Sequence, residues 1–565
     1  MQKIINWVKV NEKTTLFLLV IFFVLIRLPG VHLPLHQDEY KWPEIVNPTH
    51  VSATEIPHPP LSQFIYRTAG HIVGYNVNFR FVPLFFGTIN LLLLYYFLKE
   101  KFGKKVAFTA GIFFTLSYYS VLASLMVDTD GQILPFFFLL ALISYHKSIG
   151  SVGDKRYFWG SALVLSCVLG LFVKVSFILA VGAIVADFLW EKKSSITKGE
   201  IVKYLGYGLG GIISVVFLLF ISQYVFSFFS LTKALTYWEH FAELNRNWFQ
   251  TGIQVVKAVL YTSPFLILTP FIIGREDLKK VRPFLFYILF GMIFYTILFD
   301  FSIGALDRYL QFLIIPLCAI SSFVFVSIIK LSDSKRNKEY LLLGMIFSLI
   351  ILSMLFIQHF VPPLHPKSEW ISRVLSLRWN FLYPFSGGSG PLGFYVSFLF
   401  MALVWISSFA LILLGFIKPH FRKMALLIIL PISLVYNGIF IEEYLFGEIY
   451  GSAPKLITPA VEFIKNNPDI KDVTVYNDNG GNEIQTTGKY GRRLYIDPKF
   501  EVNLQEKINS LNAHKEHYFV LDIPRFDSNT MYQRYFDTCE VIYKQTDKQI
   551  SATVYDCRKA IDLKN

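Results

Sequence analysis

Carboxylates and cations recur at the ends of apolar runs in this sequence. Asp38 and Glu39 are adjacent and follow the first strongly apolar run. Asp128 and Asp130 bracket a single residue between two later runs, and Lys174 interrupts an apolar stretch of over thirty residues. Arg80 and Arg308 open further runs, and His58 stands before Pro59-Pro60. Ionisable groups at a bilayer boundary are costly, so each is a functional candidate. A carboxylate there can take a proton from a hydroxyl or amine. Cations there can hold a phosphate whose hydrocarbon tail lies in the bilayer. Asp128-Thr129-Asp130 has the D-x-D form that can bind a divalent ion through carboxylate oxygens. Each feature also has a plainer reading. The Asp38-Glu39 pair can mark a helix end in water, D-x-D can be a solvated helix start, and Lys174 can snorkel to the interface.

The elements that must position these groups are membrane helices. The chain has 565 residues, 54% hydrophobic and 17% aromatic, with 56 Phe and only 16% charged. Thirteen apolar segments of bilayer-spanning character lie near 13–29, 80–98, 105–123, 131–146, 157–173, 175–190, 204–226, 253–273, 284–300, 309–329, 341–360, 394–416 and 424–442. The first has basic residues ahead of it but no small-residue cleavage site after it, so it reads as an uncleaved span. Alternate loops are short and basic: Lys99 to Lys105, Lys147 to Arg156, Lys192 to Lys203, Arg275 to Arg282, Lys330 to Lys338 and Lys418 to Lys423. That alternation predicts a cytoplasmic N-terminus and an extracytoplasmic C-terminus, with the plasma membrane as the setting. The net charge of +13 then reflects membrane orientation rather than a nucleic-acid partner.

The predicted outer loops differ in kind. The first, about 30–79, holds the acidic pair and His58. The stretch near 227–252 has the alternation of a surface helix, and the loop near 361–393 is rich in Pro, Gly, Ser and Trp, with Ser386 to Gly390 before the next span. Residues 1–442 therefore form a transmembrane domain, and 443–565, which are polar, a small α/β domain. Within it Val473–Tyr476, Arg493–Ile496 and Tyr518–Leu521 read as strands, and Thr458–Asn466 and Leu504–Leu511 as helices. Strands near 539–545 and 550–557 would form a tight hairpin setting Cys539 opposite Cys557, at disulfide range in an oxidising compartment. Cys167 and Cys318 lie in apolar runs as core residues. No Walker A loop, dinucleotide-binding glycine motif or zinc-type spacing occurs. Gly480-Gly481 is a lone turn signal.

These residues, in this order, resemble the C-type glycosyltransferases, in the branch of protein O-mannosyltransferases and lipid A aminoarabinose transferases. The likeness rests on Asp38-Glu39 after the first span, His58-Pro-Pro-Leu61, Arg80, Phe86-Gly-Thr88 and Phe102-Gly103. It continues with the acid before Leu134, Lys174, and Arg308-Tyr-Leu310 followed by Pro316. It covers about residues 1–330; Gly131-Gln132 departs from the pattern. The resemblance implies a polytopic α-helical membrane protein of about thirteen transmembrane helices with an extracytoplasmic C-terminal α/β domain. It implies sugar transfer from a polyprenyl-phosphate-linked donor to a protein, lipid or glycan acceptor, by inverting direct displacement. Asp38 is then the acceptor-side carboxylate with Glu39 beside it, and Asp130 or Asp128 the second acidic site. Lys174, Arg308 and Arg80 are donor-phosphate ligands, and His58 an acceptor or donor contact. A divalent cation at Asp128 and Asp130 is left open. The competing expectation is a transporter or flippase, which would place polar groups near the bilayer midplane and show repeat symmetry.

Overall fold

The structure, a computed structural model, describes residues 11–40, 42–43, 58–74, 79–192, 198–242, 246–299, 306–329, 334–364, 369–385, 391–494, 504–526 and 530–563. Ser386–Gly390, most of the first predicted outer loop before His58, and Tyr495 and Ile496 lie outside them. The chain forms two compact units. The first is Met1–Val31, Lys41–Tyr340 and Phe409–Leu430; the second is His32–Tyr40, Leu341–Ser408 and Pro431–Asn565.

Among the described residues, ten helices are long and apolar enough to cross a membrane, and two bent pairs raise the number to twelve. The segment expected at 175–190 is the helix Ile178–Lys192, whose 15 residues fall short of a bilayer's thickness. The thirteen expected spans thus resolve into ten unbroken helices, two bent pairs and one short helix.

Both bends have local causes. Lys104–Leu116 and Tyr118–Leu125 meet at 67°, where Ser117 is extended. A break strands the carbonyls of the turn before it, which need donors where water is excluded. Arg27, fully buried at the end of the helix Glu12–Arg27, supplies them. Its guanidinium donates to the Thr115 carbonyl at 3.3 Å, the Phe114 carbonyl at 3.4 Å and Ser120 Oγ at 3.1 Å. It also lies 3.4 Å from the centre of the Phe23 ring. The second pair, Thr251–Tyr261 and Pro264–Ile272, bends by 110°. There Ser263 is extended, the conformation a following proline imposes.

In the second unit, residues from the expected irregular loop and from the start of the expected next span form an antiparallel pair, β1 (Leu382–Phe385) and β2 (Phe394–Ser397). The helix Phe398–Ile417 follows directly, so the span expected from 394 begins as strand. The C-terminal part carries five strands: β3 (Val473–Tyr476), β4 (Tyr490–Leu494), β5 (His517–Leu521), β6 (Glu540–Asp547) and β7 (Ile550–Asp556). Their order is β4-β3-β5-β7-β6. β3 runs parallel to β4 and β5, while β7 is antiparallel to β5 and β6. All four residues of β3 are buried, as a central parallel strand requires. The helix Ala453–Asn466 buries Ala453, Leu456, Ile457, Ala460 and Ile464, one face at helical spacing. Cys539 and Cys557 flank the β6–β7 hairpin and are joined by a disulfide, with Cα atoms 4.5 Å apart.

Candidate active site

The second acidic motif lies in the first unit. Residues 126–132 form a non-helical connection between the helices Tyr118–Leu125 and Ile133–Gly150. Gln132 holds its far end. Asn90 Nδ2 donates to both the main-chain and side-chain oxygens of Gln132 at 2.8 Å, and Gln132 Nε2 donates to Ser124 Oγ at 3.1 Å. Gly131 is a steric necessity: a Cβ there would stand 2.5 Å from Gln311 Oε1 and 2.9 Å from the Ala123 carbonyl oxygen. The departure from the family pattern is thus a close approach followed by a pin. The Tyr66 hydroxyl donates to the Asp128 carbonyl at 3.0 Å and fixes the near end.

Asp128 and Asp130 are 5% and 3% exposed, and each faces a cation. Arg308 Nε stands 3.1 Å from Asp128 Oδ2, and Lys174 Nζ 2.5 Å from Asp130 Oδ2. Lys174 terminates the helix Asp154–Val173 in an extended conformation, which lets the chain turn before Ile178–Lys192. It is 6% exposed and paired, so it does not snorkel. Both cations share one aromatic platform. Lys174 Nζ lies 4.6 Å and the Arg308 guanidinium 4.8 Å from the centre of the Tyr309 ring. Tyr309 stacks on Tyr295 at 5.6 Å. A small cavity beside Asp130 is walled by Ser176, Tyr287, Tyr295, Tyr309 and Phe312.

Burial pushes the Asp128 carboxyl up, but Arg308 and Lys174 outweigh it and hold the group below its ordinary range. For Asp130, burial and the neighbouring Asp128 prevail over Lys174 and push the carboxyl up to about 6. The two carboxylates are thus held at different protonation tendencies, within a cluster whose formal charges balance. This donor set does not fit a divalent cation: each carboxylate already faces a fixed positive charge. No group of three His, Cys, Asp or Glu suited to a metal occurs among the described residues.

Two other predicted residues have different surroundings. Arg80, 1% exposed, donates to the Leu125 carbonyl at 2.6 Å and so caps the helix before the acidic connection. His58 stacks on Trp42 at 6.3 Å, and its positive form would favour the ionised state of Asp128.

The first acidic motif belongs to the second unit. Gln37–Tyr40 is a single 3-10 turn. Glu39 is buried and its Oε2 accepts the His36 N–H at 2.9 Å, so its carboxylate closes its own turn. From Leu33 to Glu39 every residue is buried except Asp38, which is half-buried. The turn therefore presents one carboxylate and retracts the other. The sequence already put Asp38 ahead of Glu39, but it did not show that Glu39 is buried.

Sequence reasoning also passed over Arg27, Tyr66, Tyr287 and Tyr295. Tyr287 and Tyr295 are eight residues apart in an apolar run, a helical spacing that puts two hydroxyls on one face.

The chain resembles solved membrane enzymes over nearly its whole length. ArnT from Cupriavidus metallidurans bound to undecaprenyl phosphate superposes with a TM-score of 0.55 at 12% identity, covering 98% of each chain. The chain shares the fold of that enzyme. The apo state of the same ArnT gives 0.53 at 11% identity, over 97% of this chain and 99% of that one. The oligosaccharyltransferase AglB from Archaeoglobus fulgidus gives 0.43 at 11% identity, over 86% of this chain and 64% of that one. Residues 57–221 match the dolichyl-phosphate-mannose-protein mannosyltransferase family. That segment holds His58, Arg80, Asp128, Asp130 and Lys174. No curated protein matches the chain in sequence.

Proposed function

We propose that this integral membrane protein transfers a sugar from a polyprenyl-phosphate carrier to an acceptor on the extracytoplasmic face. The observation that carries the reading is the pairing of buried Lys174 and half-buried Arg308 over one tyrosine ring, both matched to carboxylates. Two cations on a shared platform can engage one phosphate, and the cluster offers fixed charge in a dry setting where charge develops.

The acceptor's oxygen or nitrogen attacks the anomeric carbon from the face opposite the phosphate. The bond from that carbon to the phosphate oxygen breaks, and its electron pair leaves on the polyprenyl phosphate. Lys174 and Arg308 stabilise that charge, and Asp38 takes the acceptor's proton. One displacement inverts the anomeric centre. Phosphate is a good enough leaving group that no strong acid is required. Arg80 also holds the helix end before the acidic connection, Glu39 holds its own turn, and His58 is an acceptor or donor contact. The basic loops support a cytoplasmic N-terminus, and the Cys539–Cys557 disulfide supports an oxidising compartment for the C-terminal domain.

Mass spectrometry of the lipid that co-purifies with the protein tests this. A polyprenyl phosphate or its sugar conjugate is the expected result. Ordinary bilayer lipid alone, from membranes that contain the carrier, would overturn the reading.

A further inference from the structure

We infer that the C-terminal sheet domain is the clamp that sets the Asp38 turn, with Glu483 and Asn477 as positioning residues. This rests on the reading of Asp38 as the proton acceptor.

Three observations within the second unit support it. Glu483 Oε1 accepts the Leu35 N–H at 3.1 Å. Gln37 Nε2 donates to the Asn477 carbonyl at 3.2 Å and reaches Asn477 Oδ1 at 3.4 Å. Gln37 and Glu483 are separated from these partners by 440 and 448 residues of sequence. Leu35, His36, Gln37 and Glu39 are all buried while Asp38 is half-buried, and the two held residues, Leu35 and Gln37, lead directly into it. Gln37 itself has a φ of 46°, a left-handed conformation uncommon outside glycine and asparagine. Both contacts fall just before Asp38 and fix the residues that lead into its turn.

The partner surface is itself rigid. Asn477 and Asp478 follow β3 with φ of 53° and 55°, and Gly480 has φ of 81°. Asn477 N–H donates to the Leu494 carbonyl at 2.9 Å, extending the β3–β4 pairing. The Asp478 carboxylate receives the Tyr490 hydroxyl and the Arg493 guanidinium, each at 2.8 Å. Asn479 Nδ2 donates to the Ile523 carbonyl at 3.0 Å. Asn477 and Asp478 are thus tied to β4, and Asn479 to the loop after β5. A Cβ on Gly480 would stand 3.1 Å from Ile457 and 3.2 Å from Phe519, so the turn sits directly on the core of the domain. The short helix Gly481–Gln485 then carries Glu483 to Leu35.

Hydrogen–deuterium exchange and co-purified lipid, measured on the full chain, test the clamp. In Glu483→Ala and Gln37→Ala, amide protection over residues 33–40 is expected to fall about tenfold, the size of one hydrogen bond to a charged or buried group. Protection in the helices of the first unit is expected to stay as in the wild type. Glu483→Gln keeps an acceptor oxygen and is expected to retain protection. If the chemistry slows, the sugar-loaded carrier accumulates, so the co-purified lipid shifts from bare to loaded in Glu483→Ala, as in Asp38→Asn, but not in Glu483→Gln. Unchanged protection over 33–40 in both alanine variants overturns the clamp. So does a lipid shift in Asp38→Asn with none in Glu483→Ala. If Asp38→Asn leaves the lipid unshifted, the proton-acceptor reading fails instead, while the exchange data still decide the clamp. A general loss of protection in Glu483→Ala shared by Glu483→Gln would show a folding role only and also overturns the proposal.

Discussion

The two acidic motifs of this chain use the same residues for opposite ends. At Asp128 and Asp130 both carboxylates are buried and each is matched by a cation. At Asp38 and Glu39 burial differs within the pair: Glu39 is buried and closes its own turn, while Asp38 is half-buried. A buried carboxylate beside Lys or Arg balances charge inside the protein, whereas a half-buried one stays within reach of solvent. Acids that are neighbours in sequence therefore need not share a setting.

The sharpest way to break this contrast is Asp38→Asn. Loss of a positioned general base is expected to lower the transfer rate by about 10²–10⁴-fold, with the melting temperature little changed. Near wild-type transfer would remove the distinction between the motifs. Next in size is Lys174→Ala, which leaves Asp130 buried and without that cation. Breaking a buried pair is expected to destabilise by about 3–5 kcal/mol, read by thermal melting. The double variant Lys174→Ala with Asp130→Ala should recover part of that loss while still failing to retain undecaprenyl phosphate.

A pH series sharpens the comparison further. Asp130, pushed up to about 6, gains its proton in the folded protein before an unfolded aspartate would, at 3.8. The folded state then binds more protons than the unfolded one between these values. This group therefore adds stability as pH falls through 6, and the gain levels off below the unfolded value. Asp128, held low, works in the opposite sense only below the ordinary aspartate range. Melting of wild type against Asp130→Asn from pH 7 to pH 5 isolates the first effect, which should vanish in the variant. The smallest effect belongs to Glu39→Gln. An amide oxygen still accepts the His36 N–H, so transfer is expected to stay within about threefold of wild type, one charge-assisted bond being exchanged for a neutral one. A loss as large as that of Asp38→Asn would mean that Glu39 also takes part in the chemistry.

Much of the fold was legible because its signals are local. Apolar run length marks helices, and alternation marks β6 and β7, so these emerge from neighbours in sequence. The bends did not emerge. The break at Ser117 depends on Arg27, 88 residues earlier, supplying donors to stranded carbonyls. In the candidate site, the cations were visible as charges in apolar surroundings, but their assignment was not. Arg80 and Arg308 look alike in sequence, yet one caps Leu125 and the other faces Asp128. Gly131 looked anomalous only because the side chain that forbids a Cβ, Gln311, is far away in the chain. Long-range partners decide role, and a single sequence does not print them.

The bond between Gln37 and Asn477 also imposes an order of events during synthesis. A ribosome adding about 5–20 residues per second needs roughly 20–90 s to make the 440 residues between them. Through that interval the acid-bearing turn is already made and its partner is not. A chain cut short before β3 would carry every charged side chain from Asp38 to Arg308 and still lack the contact that seats Gln37. Completion of the last domain thus serves as the signal that the first motif is ready.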